Sequence, residues 1–192
     1  MDVNLDTDRL EHEACGVVRE PIRLGSFRVS DVYGDFLDYL KLQMGDDVRI
    51  LEFSYDWRLT VEHNAHELQK RLDKEFGGET VDIVAHSFGG LVARYYIQNL
   101  GGENRVRQLI TMGTPHRGSA DTFVTLYDGW GGGVDPKDAA INWWMGGTAE
   151  LRKSLLSFPG FYDMLPNFPN CCWFSPSTPF DPFDANTWSR FG

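Results

Sequence analysis

The sequence predicts an α/β fold, a mainly parallel sheet with helices on both faces. Two observations carry this prediction. Between residues 30 and 112, apolar residues at helical spacing alternate three times with short apolar runs, separated by brief turns. One of those runs, Val81-Asp82-Ile83-Val84, leads directly into Ala85-His86-Ser87-Phe88-Gly89-Gly90, a serine among small residues where a strand gives way to a helix.

Residues 1–29 precede this pattern. Val17-Val18 and Phe27-Arg28-Val29 read either as short strands or as a surface loop. A helix follows, because Val32, Phe36, Tyr39, Leu40 and Met44 recur every three to four residues. Ser30 or Asp31 is expected to cap it and Gly45 to end it. Val48–Phe53 then reads as a strand. Val61, Ala65, Leu68, Leu72 and Phe76 define one apolar face of the next helix, which Gly77-Gly78 stops. A strand over 80–85 and the serine turn come next. Leu91, Val92, Tyr95, Tyr96 and Leu100 form another helix, closed by Gly101-Gly102, and Val106–Met112 is a further strand.

Beyond Ser119 the alternation is lost. Trp130, Trp143, Trp144, Trp173 and Trp188 lie there, with clustered glycines and prolines. The chain therefore divides into a partial core, residues 1–118, and an insertion over the sheet, residues 119–192.

Composition narrows the function. The 192 residues suffice for one domain, and 42% of them are apolar, which is unlike a disordered chain. The formal charge of −10 and the lack of any basic run argue against nucleic acid as a partner. Cys15, Cys171 and Cys172 are odd in number, show no metal-ligand spacing and fit reduced thiols in a cytosolic chain. Met1–Glu13 is acidic and lacks the apolar stretch of a secretory signal, and no run of about 18 apolar residues predicts a membrane span. A cytoplasmic location without a metal or cofactor is the resulting expectation.

Ser87 is the candidate nucleophile. A tight strand-to-helix turn lifts a serine hydroxyl out of the sheet edge, and small residues two positions either side let the two backbones approach. Ala85 and Gly89 meet that need. A serine hydroxyl attacks a carbonyl only when a base removes its proton, and the tetrahedral intermediate needs N–H donors aimed at its oxyanion. In such a turn the backbone N–H of the following residue, Phe88, supplies one donor. The chemistry indicated is acyl transfer or ester hydrolysis.

Three further stretches accompany this turn. They are Tyr55-Asp56-Trp57-Arg58, Gly113-Thr114-Pro115-His116-Arg117-Gly118-Ser119 and Phe158-Pro159-Gly160-Phe161-Tyr162-Asp163-Met164-Leu165-Pro166. With the serine turn they resemble, in order, the motifs of the lecithin:cholesterol acyltransferase family of α/β-hydrolases, its bacterial members above all. The resemblance runs from about Val32 to Trp188, with Phe88 in place of the usual methionine. It implies an α/β-hydrolase core with a cap, a lipid or ester substrate, and transient contact with a lipid interface. It implies an acyl-Ser87 intermediate, Phe88 as oxyanion donor, and substrate contacts from His116 and from Trp143 and Trp144 in the cap. His116 follows the strand beside the serine turn, too early in the chain for the base of this fold, and is expected to shape the pocket. His86 is expected to be packed or hydrogen-bonded, and Asp56 and Arg58 to form an ion pair beside Trp57.

The family's acid and base lie downstream of the cap, and its second oxyanion donor lies on an early glycine-rich loop. Neither has a match here, so the chain reads as truncated at both ends, lacking the triad acid and base and nearly inactive alone. Two other readings stay open: an inactive lipid- or partner-binding fragment, and an esterase for small soluble esters.

Overall fold

A computed structural model describes residues 17, 22–24, 27–30, 33–45, 47–129, 143, 147–175 and 177–189, with backbone alone at 22–24, 27–30 and 174. Strands β1 (Ile22–Leu24) and β2 (Phe27–Ser30) form an antiparallel pair in which Leu24 faces Phe27. Helix α1 (Gly34–Met44) follows and ends at Gly45, where φ is 70°. The expected cap is not realised, because Ser30 belongs to β2 and the helix begins after Tyr33, whose side chain caps nothing.

Helix α2 (Val61–Phe76) is built as its periodicity requires. Val61, Ala65, Leu68 and Leu72 are buried, and Thr60 Oγ1 accepts the N–H of His63 to cap the first turn. Strand β3 (Val81–His86), helix α3 (Phe88–Asn99) and strand β4 (Val106–Met112) complete a right-to-expectation βαβ order, with β3 and β4 parallel. Leu68 and Leu72 of α2 share one core with Ala85 of β3 and with Phe88, Leu91, Val92 and Tyr96 of α3. Removing a leucine from such a core costs about 2–5 kcal/mol.

Val48–Phe53 departs from expectation: residues 49–56 make no strand ladder. Leu51, Phe53 and Tyr55, alternate residues, nevertheless pack on the core. The alternation reports which side is buried, whereas a strand also needs backbone partners. The helical cover also differs. Ile83, Ala85 and Leu109 face the core, while Val84, Ile110 and Met112 on the opposite face are 42%, 52% and 38% exposed.

After Ser119 come α4 (Ala120–Asp128), α5 (Thr148–Leu156), the single turn α6 (Pro159–Tyr162), the antiparallel pair β5 (Cys172–Ser175) and β6 (Thr178–Phe180), and α7 (Ala185–Trp188). Leu126, Leu151, Leu155, Phe161 and Leu165 make a second core there, with Phe123 and Trp188 against it. Met164 packs on both cores and joins them.

Candidate active site

Ser87 sits between β3 and α3 with φ 52° and ψ −126°. A non-glycine residue there carries strain on the order of 1–3 kcal/mol, which persists only where the surroundings impose it. The surroundings are plain. Ser87 N–H donates to the Met112 carbonyl at 2.9 Å, and Gly90 N–H donates to the Ser87 carbonyl at 3.1 Å. Among the described residues the Ser87 hydroxyl has no hydrogen-bond partner, and the side chain makes no cap bond to α3. The hydroxyl is thus held out of the backbone network. Phe88 buries its ring in the core, 4% exposed, while its N–H at the first position of α3 has no acceptor among the described residues. A free N–H beside a free hydroxyl, at the positive end of a 12-residue helix, is a donor arrangement for a developing oxyanion.

The motifs singled out in the sequence converge on this turn. A Cβ on Gly90 would lie 2.0 Å from Thr114 Oγ1, and one on Gly89 would lie 3.3 Å from Tyr55 Oη. The helix start therefore packs between the Thr114 and Tyr55 side chains, which is why two glycines follow Ser87-Phe88. The Tyr55 and Phe88 rings are 5.7 Å apart. Burial, with Tyr33 nearby, pushes the Tyr55 phenol up to about 12.

Asp56 and Arg58 form the expected ion pair, with Arg58 Nε 2.8 Å and Nη2 2.5 Å from the two carboxylate oxygens. The Arg58 hydrogen bonds hold the Asp56 carboxyl below the usual carboxylate range. The pair shapes a loop whose carbonyls at 56, 59 and 60 all accept from the buried amide of Asn64. Trp57 meets Phe158 and Phe161 edge-on at 5.6 Å each. Gly160 N–H donates to the Arg58 carbonyl at 3.1 Å, and Ser119 N–H donates to the Met164 carbonyl at 2.8 Å. Four separated stretches of chain thus become one assembly.

His86 and His116 are occupied elsewhere. His86 Nδ1 is 2.7 Å from the Tyr33 hydroxyl, and the two rings meet edge-on at 5.8 Å. His116 is exposed and held at both nitrogens, Nδ1 by Arg94 at 3.3 Å and Nε2 by Thr111 at 3.2 Å. Because arginine can only donate, Nδ1 accepts and the ring proton lies on Nε2, aimed at Thr111. Neither imidazole hydrogen-bonds Ser87. Trp143 is 81% exposed, and Trp144 lies outside the described residues. Sequence reasoning missed two partners here: Tyr33 on His86, and Tyr55 on the start of α3. The tyrosine of Tyr-Asp-Trp-Arg was the available signal for the second. Among the described residues no group of His, Cys, Asp and Glu could hold a metal ion.

A strained serine at a strand-to-helix turn, with a free N–H next to it, can be compared with known proteins. The family model described as palmitoyl protein thioesterase matches residues 40–154, well over half of the chain. The chain belongs to the palmitoyl protein thioesterase family. That places it among esterase- and lipase-type hydrolases, the broader class to which its motifs pointed. Over 79 residues it is 32% identical to the uncharacterized protein YJR098C of Saccharomyces cerevisiae, covering 39% of this chain and 12% of that protein. Over 62 residues it is 39% identical to triacylglycerol lipase 2 of the same yeast, covering 31% of this chain and 19% of the lipase. The chain thus spans under a fifth of the length of either relative in these matches. No solved structure matches it.

Proposed function

We propose that this chain hydrolyses fatty-acyl thioesters or esters through an acyl-Ser87 intermediate. The observation that carries this reading is the Ser87 turn: a hydroxyl without a hydrogen-bond partner among the described residues, on a residue held at φ 52°. Family membership and the similarity to a triacylglycerol lipase supply the acyl substrate class. Ser87 Oγ adds to the acyl carbonyl and gives its proton to a base other than His86 and His116, whose rings are hydrogen-bonded elsewhere. The carbonyl oxygen becomes an oxyanion facing the Phe88 N–H. Collapse expels the thiol or alcohol, which takes up that proton. Water then repeats the addition, releasing the fatty acid and restoring the serine.

His116, with both ring nitrogens engaged, is not the base in this arrangement; it fixes the loop after β4 and lines the approach to the serine. The residues after Ser119 act as a cap that receives the acyl chain, with the exposed Trp143 presenting aromatic surface to it. An alcohol in place of water at the second addition would give the acyl transfer that the lecithin:cholesterol acyltransferase resemblance implies.

The test is turnover of a palmitoyl thioester and of p-nitrophenyl palmitate by the full chain, beside Ser87→Ala. Turnover lost in the variant supports the reading; equal turnover in both overturns it. A second reading, an acyl-binding chain without turnover, is favoured by the lack of any described imidazole bonded to Ser87. Binding of palmitate with no turnover of either substrate would select it.

A further inference from the structure

A cleft between residues 166–171 and 179–183 takes no part in the chemistry proposed above. The β5–β6 hairpin creates it. Cys172 pairs with Phe180, so the chain entering β5 runs beside the chain leaving β6. The space between them is about 550 Å³, within the usual range for small-ligand sites. Its walls are stiff, because Pro166, Pro169, Pro179 and Pro182 fix φ along them. Each wall is also pinned by an indole. Trp173 Nε1–H donates to the Asn170 carbonyl at 3.1 Å, and Trp188 Nε1–H donates to the Pro182 carbonyl at 2.8 Å.

The lining combines rings with one charge. Phe168, Phe180 and Phe183 contribute to it, and Phe168 and Phe183 are 39% and 57% exposed. Asp181 is the one charged residue among the described lining residues. Its Oδ1 accepts the Phe183 N–H at 2.9 Å, and its Oδ2 has no hydrogen bond among the described residues. The wall carbonyls of Pro166, Phe168, Asn170, Asp181 and Pro182 already accept from the protein.

We infer that this cleft binds a quaternary ammonium group, whose methyls rest on the Phe168 and Phe183 rings and whose charge Asp181 balances. The choice of ligand follows from the lining. A primary ammonium has three N–H donors to satisfy and would find few unused acceptors. A methylated ammonium has none, and ring faces with a carboxylate are the surroundings that suit it. Phe168 already takes a cation in this way: the Arg117 guanidinium lies 5.1 Å from its ring centroid, and Arg117 is not itself part of the lining. A carboxylate or phosphate ligand would meet the Asp181 charge instead. The site is independent of the acyl-Ser87 reading.

The experiment is a ligand-observed NMR titration of the full chain with tetramethylammonium at constant ionic strength. The uncharged, similarly shaped tert-butanol is titrated beside it. Wild type is expected to bind tetramethylammonium saturably, and tert-butanol about three- to tenfold more weakly. Asp181→Asn keeps an oxygen for the Phe183 N–H and removes the charge; it is expected to weaken tetramethylammonium binding about three- to tenfold. Phe183→Leu keeps apolar bulk and removes the ring, with a similar loss expected. Both residues are exposed, so melting temperatures near wild type are expected. Wild-type affinity in both variants, equal affinity for tert-butanol, or no saturable binding by the folded wild type overturns the assignment. If a variant fails to fold, the comparison with tert-butanol on wild type decides alone.

Discussion

Asp163 Oδ2 accepts the N–H of Val61 at 2.6 Å, a bond that spans 102 residues of sequence. Val61 opens α2, so a carboxylate from the far end of the chain satisfies a helix-terminal donor and faces the positive end of the helix dipole. Asp163→Ala is expected to destabilise the protein by about 1–2 kcal/mol. Urea denaturation monitored by far-UV circular dichroism checks this; an unchanged midpoint would show that the bond adds nothing net.

A second prediction concerns Gly160. A Cβ there would lie 2.2 Å from the Trp57 carbonyl oxygen and 2.6 Å from that of Leu59. Both obstacles are backbone, so no side chain can swing aside. Gly160→Ala is expected to cost about 1–3 kcal/mol or to prevent folding. Gly78→Ala, with nothing within 4 Å of the new Cβ, is the matched control and is expected to change stability little. Equal effects of the two substitutions would sink the close-packing argument.

The Asp56–Arg58 pair makes stability depend on pH. Its folded-state carboxyl titrates below its unfolded value, because Arg58 stabilises the charged form. The contribution is therefore fully present above the unfolded carboxylate range, about pH 4, and is lost as pH falls through the depressed folded value. The melting-temperature gap between wild type and Asp56→Asn should be constant near neutrality and narrow below about pH 4. A gap that persists unchanged into strong acid would assign the effect of the substitution to shape rather than charge.

Ser87→Gly separates strain from chemistry. Glycine tolerates φ 52°, so relief of strain is expected to outweigh the added chain entropy and raise stability by about 0.5–2 kcal/mol. Ser87→Ala keeps the strain and should leave stability near wild type. Thermal unfolding of the two variants decides: equal melting temperatures would mean that the turn stores no strain.

The elements that could be read from sequence are those with a complete local signal. In α2 the four-residue apolar spacing and the Gly77-Gly78 stop state face and end within one stretch, and the helix spans Val61–Phe76. Strand β4 occupies its expected limits, Val106–Met112. The serine turn was legible for the same reason, since small residues around a nucleophile at a strand end reflect local crowding. Val48–Phe53 failed as a strand because ladder formation depends on neighbours that apolar alternation does not specify. The contact of Tyr33 with His86, 53 residues apart, and that of Asp163 with Val61 carry no local trace. They exist only once distant segments have been brought together.

The two cores are keyed to each other backbone against backbone. At Gly118, where φ is 84°, a Cβ would meet the Leu165 carbonyl oxygen at 2.2 Å, and Gly160 sits as closely on Trp57. Contacts this tight do not slide, and a hinge between them would have to break both at once. The stretch from Phe158 to Pro166 is therefore fixed against the loop at 57–59 and against Gly118 rather than hinged. An acyl hydrolase of the kind proposed above would meet its substrate without that stretch moving. Its rate should rise smoothly with substrate concentration, without the jump at the onset of micelles that marks a surface-opened lipase.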